Sequence, residues 1–357
     1  MTTKPIAPVV ATDVARLAGV SQKTVSRVVR GDASVSEATR KLVQAAITEL
    51  GYRPNRAARS LVSGRTGAIG MLAVGTTHYG PATLMVAAEQ AVRTSGYTLT
   101  MANSRSEHPD DVARDIQHLV DQGIDALIVI EGVGHFSSGL SLGSLPVASL
   151  GAGHGISTCE LVFTMDEAGG TRAATEHLLA LGHRTVHHVA GPEGWRSSTR
   201  RREGWETALL EAGATAPAIP PAALTAPWTS QGGYAVGKVL AEDPTVTAVL
   251  AANDLQALGV IRAFHEAGKL AGRDVSVIGF DDIPEAAYLT TALTTVRQDL
   301  AAMATRAVTM LVAAHTDPEP SSHHELLPTE LITRETTSSP HTSSPTSRRQ
   351  PGRSPRL

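Results

Sequence analysis

Apolar residues follow two different rhythms along the chain. Up to about residue 65 they recur at helical spacing. Val14, Ala15 and Ala18 fall on one face of a short helix, and Val25, Val28 and Val29 on one face of a second. Gly19 between them supplies the positive φ of a tight inter-helix turn. Ser21 is a good N-cap for the second helix. Val10 cannot cap the first, so Thr12 is expected to do so. A small Ala15, Gly19 four residues on and Val25 six further make a helix-turn-helix pattern. A third helix is expected over about Ser36 to Leu50, with Leu42, Val43, Ala46, Ile47 and Leu50 inside and Gly51 as its stop. Beyond it, Asn55 can cap a short segment, Arg56 to Val62, too short to be helical alone in water. That segment reads either as a plain linker or as a hinge that folds on DNA, with Leu61 wedged into a minor-groove step.

From residue 66 to 335 the rhythm changes. Apolar runs at Ala68–Val74, Tyr97–Ala102, Ala126–Ile130, Val147–Leu150, Thr185–Ala190, Ala248–Ala252 and Val275–Phe280 suit buried parallel strands. Amphipathic stretches lie between most of them: Ala82–Ser95, Pro109–Gln122, Glu167–Leu181, Arg200–Ala212, Gln231–Ala241 and Leu255–Ala267. Repeated βα units predict doubly wound α/β sheets, and about seven strands plus later ones suit two of them. Such sheets bind ligands at the carboxyl ends of their strands. There stand Asp166, Asn253-Asp254 and Asp281-Asp282, with Arg201 near the start of the helix after Gly191-Pro192. Asp254 and Asp282 equally suit caps of the following helices. Trp205 reads as core, Trp195 as cleft lip or surface, and Phe163 as pocket wall or core. From Thr336 on, Ser, Thr, Pro and Arg without periodicity predict a disordered tail.

Composition narrows the class. With 42% hydrophobic and 18% charged residues, most of the 357-residue chain has to fold. Its single cysteine, Cys159, leaves no intramolecular disulfide and no Cys-rich zinc site. No apolar run is long enough to span a membrane, and the first residues lack a signal core, so a cytoplasmic protein is expected. Charge is uneven. Residues 1–65 carry eleven Lys and Arg against four acids, the tail from Thr336 four Arg and no acid, and residues 66–335 sixteen bases against thirty acids. A basic head on an acidic body marks one end for a polyanion. On the second helix Gln22, Lys23, Ser26 and Arg27 face away from the valines, and such side chains read adenine and guanine in the major groove.

Enzyme signals are weak. Gly139 to Gly143 satisfies a nucleophile-elbow pattern but runs into Pro146 and another strand. Gly232 to Lys238 resembles a P-loop but has Val239 where Ser or Thr would hold magnesium, and reads as a surface helix. His187 and His188 are adjacent on a strand and face opposite ways, so they cannot share a metal. No cofactor and no metal are expected.

The runs DVARLAGVSQKTVSRVVRG and VSEATRKLVQAAITELGYRPNRAARSL, followed by TMDEAGGTRAATEHLLALGHR, VAGPEGWRSSTRRREGW, AVLAANDLQALGVIRAFHEAG, VSVIGFDDIP and LTTVRQD, resemble the lac repressor/galactose repressor family over roughly residues 10 to 335. The resemblance implies an all-α helix-turn-helix head and a two-lobed, periplasmic-binding-protein-like α/β body. It divides the chain into a head (1–53), a hinge (54–65), an effector-binding and dimerisation body (66–335) and the tail (336–357). The N-lobe would hold about 66–164 and 297–325, and the C-lobe about 165–296 and 326–335. It further implies a homodimeric repressor on palindromic double-stranded operator DNA, released by a sugar. DNA contacts would come from Ser21, Gln22, Lys23, Thr24, Ser26 and Arg27, with Asn55, Arg56, Arg59 and Leu61 in the hinge. Effector contacts would come from Tyr79, Phe163, Arg201, Trp228, Asn253 and Asp281. Against the lac-type pattern, Gly151 replaces an acid and Leu300 an aromatic. The rival readings are a regulator with a purine or partner protein as co-repressor, and a sugar-binding protein without DNA binding.

Overall fold

The computed structural model describes residues 9–29, 31–53, 65–74, 77–104, 108–130, 140–151, 155–214, 217, 224–316 and 322–340. Contacts divide the chain into two units, Met1–Thr66 and Gly67–Leu357.

The first unit holds helices α1 (Ala11–Leu17), α2 (Gln22–Val29) and α3 (Glu37–Leu50). Val14, Ala15, Val25, Val28, Val43 and Ala46 close into one small core. Ser21 caps α2, its Oγ accepting the Thr24 N–H at 3.1 Å. Ser36 does the same for α3, and Gly51 ends it in the left-handed region at φ 62°. Two expectations fail here. Thr12 lies inside α1. The N-cap is Val10, whose N–H donates to Asp13 Oδ2 at 3.1 Å, so the first turn is held by an acid three residues ahead rather than by a capping hydroxyl. Leu42 is exposed, because α3 presents only Val43 and Ala46, with Ile47 and Leu50 at the margin, to its neighbours.

The second unit carries two sheets. One runs β10 (His323–Leu327), β5 (Glu160–Met165), β4 (Val147–Leu150), β3 (Ala126–Ile130), β1 (Ala68–Val74) and β2 (Thr98–Ser104) across its width. All its pairs are parallel. The other runs β11 (Thr329–Ile332), β9 (Thr294–Gln298), β8 (Ser276–Asp281), β7 (Ala248–Ala251) and β6 (His187–Val189), with only β11 antiparallel. β3 and β8 are buried throughout, as strands covered on both faces must be. The helices are α4 (Tyr79–Thr94), α5 (Pro109–Asp121), α6 (Glu167–Ala180), α7 (Arg196–Glu211), α8 (Ser230–Glu242), α9 (Asp254–Glu266) and α10 (Leu300–Thr316). The chain passes between sheets three times, after β5, β9 and β10, so the two lobes are tied by three strands of chain.

β5, β9, β10, β11 and α10 escaped the apolar pattern. β9 reads Thr-Thr-Val-Arg-Gln, and its buried threonines are satisfied by hydrogen bonds rather than by being apolar. α10 is apolar over most of its surface and shows no clear stripe.

Two other expectations are corrected. Gly232 to Lys238 is a packing seam, not surface. A Cβ at Gly233 would stand 2.1 Å from the Gln256 carbonyl oxygen, and one at Gly259 2.0 Å from that of Ser230. α8 and α9 therefore touch backbone to backbone. The tail expected to be disordered from Thr336 is tied down over residues 336–340 without regular secondary structure, and residues 341–357 lie outside the described residues. Thr336 is fully buried, its Oγ1 donating to Val277 O at 2.6 Å and accepting the Thr294 N–H at 2.9 Å. Ser338 joins Ser276 and His183 next to it. Hydroxyls placed by the fold bind this strap, which composition cannot foresee. No helix among the described residues is long and apolar enough to cross a membrane.

Candidate functional site

In the head unit, α2 exposes Gln22, Lys23, Ser26 and Arg27, while Val25 and Val28 hold its other face in the core. Thr24 is half-buried, and its hydroxyl lies 2.9 Å from that of Ser21 at the cap. The Arg27 guanidinium is 3.9 Å from the Asp32 carboxylate, a loose pair that leaves its fork accessible. Asn55, Arg56, Arg59 and Leu61 lie outside the described residues.

In the body, a cleft of roughly 820 Å³, open to solvent, lies where the carboxyl ends of both sheets converge. Its polar floor belongs to the second sheet. Arg201, on the second turn of α7, is 6% exposed. Its Nε and Nη2 donate to Glu167 Oε1 at 3.0 and 2.8 Å, its Nη1 donates to Ala252 O, and Nη2 stands 3.4 Å from Asp281 Oδ1. The same guanidinium lies over the Phe280 ring at 3.9 Å. Two carboxylates thus share one cation. Burial pushes the Asp281 carboxyl up to about 6, with Arg201 opposing the shift and Glu167 adding to it.

Asp281 and Asp282 are the only non-glycine residues with positive φ among those described, at 111° and 53°. The turn is held in place. Asp282 accepts from Arg334 Nη2 at 2.6 Å and from Arg297 Nε at 2.7 Å, and Gln298 Nε2 donates to Asp281 Oδ1 at 2.8 Å. Local strain of this kind survives where surrounding contacts over-determine it, and it gathers at binding sites. Neither Asp282 nor Asp254 caps a helix. Asp254 is fully buried beneath the cleft, accepting the Ile283 N–H at 2.8 Å and the Thr295 hydroxyl at 2.5 Å. Burial and the neighbouring Asp281 push its carboxyl up to about 8.

The capping role falls to Asn253, whose Oδ1 accepts the Gln256 N–H at 2.8 Å. Its side-chain Nδ2 makes only a long contact to Trp228 O at 3.4 Å, so a donor is left facing the cleft. Trp228 and Trp195 form an aromatic wall, edge to face at 5.8 Å, and His78 stands edge-on to Trp195 at 5.0 Å. The indole of Trp228 lies where a Cβ on Gly191 would be, 2.1 Å from its Cη2. Its Nε1 is buried with no acceptor among the described residues. Tyr79, Pro81, Leu84, Leu150, Gly151, Leu300 and Met303 form the opposite wall, from the first sheet.

Of the sequence-derived effector residues, Tyr79, Arg201, Trp228, Asn253 and Asp281 meet at this cleft. Phe163 does not. It is wholly buried in the core of the first sheet, with its ring 6.0 Å from that of His323. Trp205 is core, its Nε1 donating to Val186 O, and Trp195 lines the cleft. The sequence reading missed Glu167, Arg196, Ser197 and Gln298. Glu167 and Gln298 stand just past or at the carboxyl ends of β5 and β9, so recognising those strands would have pointed to them. His188 is a core residue, Nδ1 on Leu250 O at 3.0 Å, with burial lowering its pKa to about 4.

A helix-turn-helix head joined to a two-lobed body with a polar cleft is the build of a ligand-responsive DNA-binding regulator. Residues 11–55 match the bacterial regulatory proteins of the lacI family, and residues 175–337 match a periplasmic binding protein-like domain. The lactose operon repressor of Escherichia coli K12 is 31% identical over 340 residues, covering 94% of this chain and 92% of its own. The regulator CelR of Thermobifida fusca is 31% identical over 333 residues, 90% and 96% of the two chains. Among solved structures, the lac repressor dimer bound to operator and the anti-inducer ONPF superposes with a TM-score of 0.77 at 28% identity, over 93% of this chain and 99% of that one. A CelR–cellobiose complex follows at 0.64 and 28%, over 92% and 100%. The chain belongs to the lacI family of bacterial regulatory proteins.

Proposed function

We propose that this protein is a cytoplasmic, homodimeric transcriptional repressor that a sugar releases from a palindromic operator. The observation that carries the effector half is the Glu167–Arg201–Asp281 group beside Asn253 and the Trp195–Trp228 wall. A guanidinium fork and a carboxylate each grip a vicinal diol with two hydrogen bonds. Indole faces suit the C–H side of a pyranose. The relatives named for lactose and cellobiose support the ligand class.

The head half rests on α2. Gln22, Lys23 and Arg27 meet base edges in the major groove, Ser21, Thr24 and Ser26 meet phosphate or base edges beside them, and Asn55, Arg56, Arg59 and Leu61 serve the hinge. Sugar bound between the lobes favours one arrangement of them over the other. The affinity difference between the two arrangements is all that the sugar can transmit to DNA binding.

The test is selection of bound DNA from a random pool, followed by fluorescence anisotropy on the selected site while sugars are titrated. Release of a palindromic site by one sugar is the expected result. Specific binding that no sugar alters would remove the effector half of the proposal. Equal binding of all sequences at low salt would remove the head half.

A further inference from the structure

The cleft contains two guanidinium groups in different circumstances. Arg201 is surrounded by acceptors and shares two carboxylates. Arg196 stands at the first position of α7 and makes one hydrogen bond, from Nη1 to the carbonyl of Gly151 on the opposite lobe at 2.7 Å. Among the described residues no carboxylate pairs with it, and its Nε and Nη2 are uncommitted. α7 begins there without a side-chain cap at Trp195 and without an acid in its first turn. The first-turn N–H groups of α7 therefore receive no capping side chain from Trp195, and the Ser197 hydroxyl stands beside them at the cleft wall. Independently, the buried Trp228 Nε1, 6% exposed as a residue, also lacks an acceptor on this wall.

Charge in the cleft is balanced but segregated. One end holds Glu167 and Asp281 against Arg201, a net negative group. The other holds Arg196 at a positive helix terminus, a net positive one. A neutral sugar would leave Arg196 enclosed and unpaired when the lobes close, which is costly. A dianion would bring one charge more than Arg196 can offset. A monoanion fits, and a carboxylate matches the free guanidinium edge in geometry.

We propose that the effector is a sugar acid such as a hexuronate, its hydroxyls on Glu167, Arg201, Asp281 and Asn253 and its carboxylate on Arg196 and the first turn of α7. This rests on the sugar-sensing reading above and narrows it. Because Arg196 also ties α7 to Gly151, the carboxylate would arrive at the bond that joins the two lobes.

The test uses the full chain and matched pairs of hexoses and hexuronates, with glucose 6-phosphate as the dianion, followed by Trp195 and Trp228 fluorescence. The quantity read is the affinity ratio within a pair. For the responding pair, the hexuronate is expected to bind roughly tenfold or more tightly than its parent hexose. Arg196→Gln is expected to bring the ratio near one, and Arg196→Lys to retain part of it. The ratio is insensitive to any change in lobe closure that the substitution causes, because both ligands share it. Tighter binding of the neutral hexose or of the phosphate, or a ratio that survives in Arg196→Gln, would overturn the inference and leave sugar sensing intact. If no sugar of any charge binds, sugar sensing itself fails, and this inference with it.

Discussion

Arg201 approaches Asp281 to 3.4 Å while Asp281 holds its backbone at φ 111°, in a region that side-chain-bearing residues rarely enter. The two facts belong together. β8 ends in the buried run Val277–Phe280, and the left-handed turn after it swings the Asp281 carboxylate toward the guanidinium and into the cleft. Arg297 and Arg334 on Asp282, with Gln298 on Asp281, keep the turn from relaxing.

Asp281→Asn should separate the two halves of function. The amide is nearly isosteric, and Glu167 still pairs with Arg201, so the fold and operator binding are retained. The amide cannot accept two hydrogen bonds from a diol, so release by sugar is lost. Anisotropy on the selected operator, with and without the effector, checks this. A variant released at the wild-type concentration would take Asp281 out of the site.

Sugar affinity should fall in acid. Asp281 titrates near 6, and only its ionised form accepts two hydroxyl donors. Glu167 and Arg201 are the charged groups facing it, with Asp254, whose carboxyl is pushed up to about 8, as a titratable neighbour. Affinity is expected to be level above pH 7 and to fall by about tenfold per unit well below 6. Titrations at pH 5 and 7.5 measure this directly. Equal affinity at the two values would show that the charge of Asp281 is not used.

Asp254 governs stability with the opposite trend from an ordinary carboxylate. Its folded pKa, about 8, exceeds the unfolded one, so between these values the folded state binds more protons. Its contribution to stability is then greatest in acid and falls as pH rises toward 8, by up to about 1.4 kcal/mol per pH unit for one proton. Asp254→Asn should flatten that slope between pH 6 and 8, because an amide stays neutral. Urea unfolding of the two proteins at both pH values decides it, and identical slopes would refute the assignment.

Gly233→Ala should destabilise the body by about 1–3 kcal/mol or more, because the added methyl meets the backbone of Gln256 and cannot be accommodated by a rotamer change. The shift would also disturb Gln256 Nε2, which donates to the carbonyls of Ala190, Ala226 and Pro227 under the cleft wall. A denaturation midpoint within error of wild type would mean that α8 and α9 are packed less closely than described.

Arg27→Ala should weaken operator binding by about 1–3 kcal/mol and relax selectivity at one base pair of each half-site. Repeating the selection with the variant reads both effects. Uniformly weaker binding with unchanged selectivity would assign Arg27 to a phosphate instead.

Much of this protein was legible in one dimension. The apolar stripes of α1 and α2, Gly19 and Ser21 define the head because a short helical unit is built from local periodicity and caps. β1, β3 and β4 begin and end where their apolar runs do, since a strand covered on both faces needs no other signal. Arg201, Asn253 and Asp281 were reachable from the rule that ligands sit at strand ends. Tertiary structure alone decided the rest. β9 and β10 are polar strands without an apolar run to mark them: β9 is set between β8 and β11, and β10 pairs with β5, 162 residues earlier in the chain. Phe163 and Trp195 are both aromatics near strand ends, and only the packing sends one to the core and the other to the cleft. Thr336 is buried by hydroxyl bonds to β8 and β9 that its neighbours in sequence do not foretell. Arg196 acquires its meaning from Gly151, forty-five residues earlier in the chain and on the other lobe. Periodicity records which face of an element is buried. It does not record which distant element covers that face, and a binding site is made of such long-range encounters.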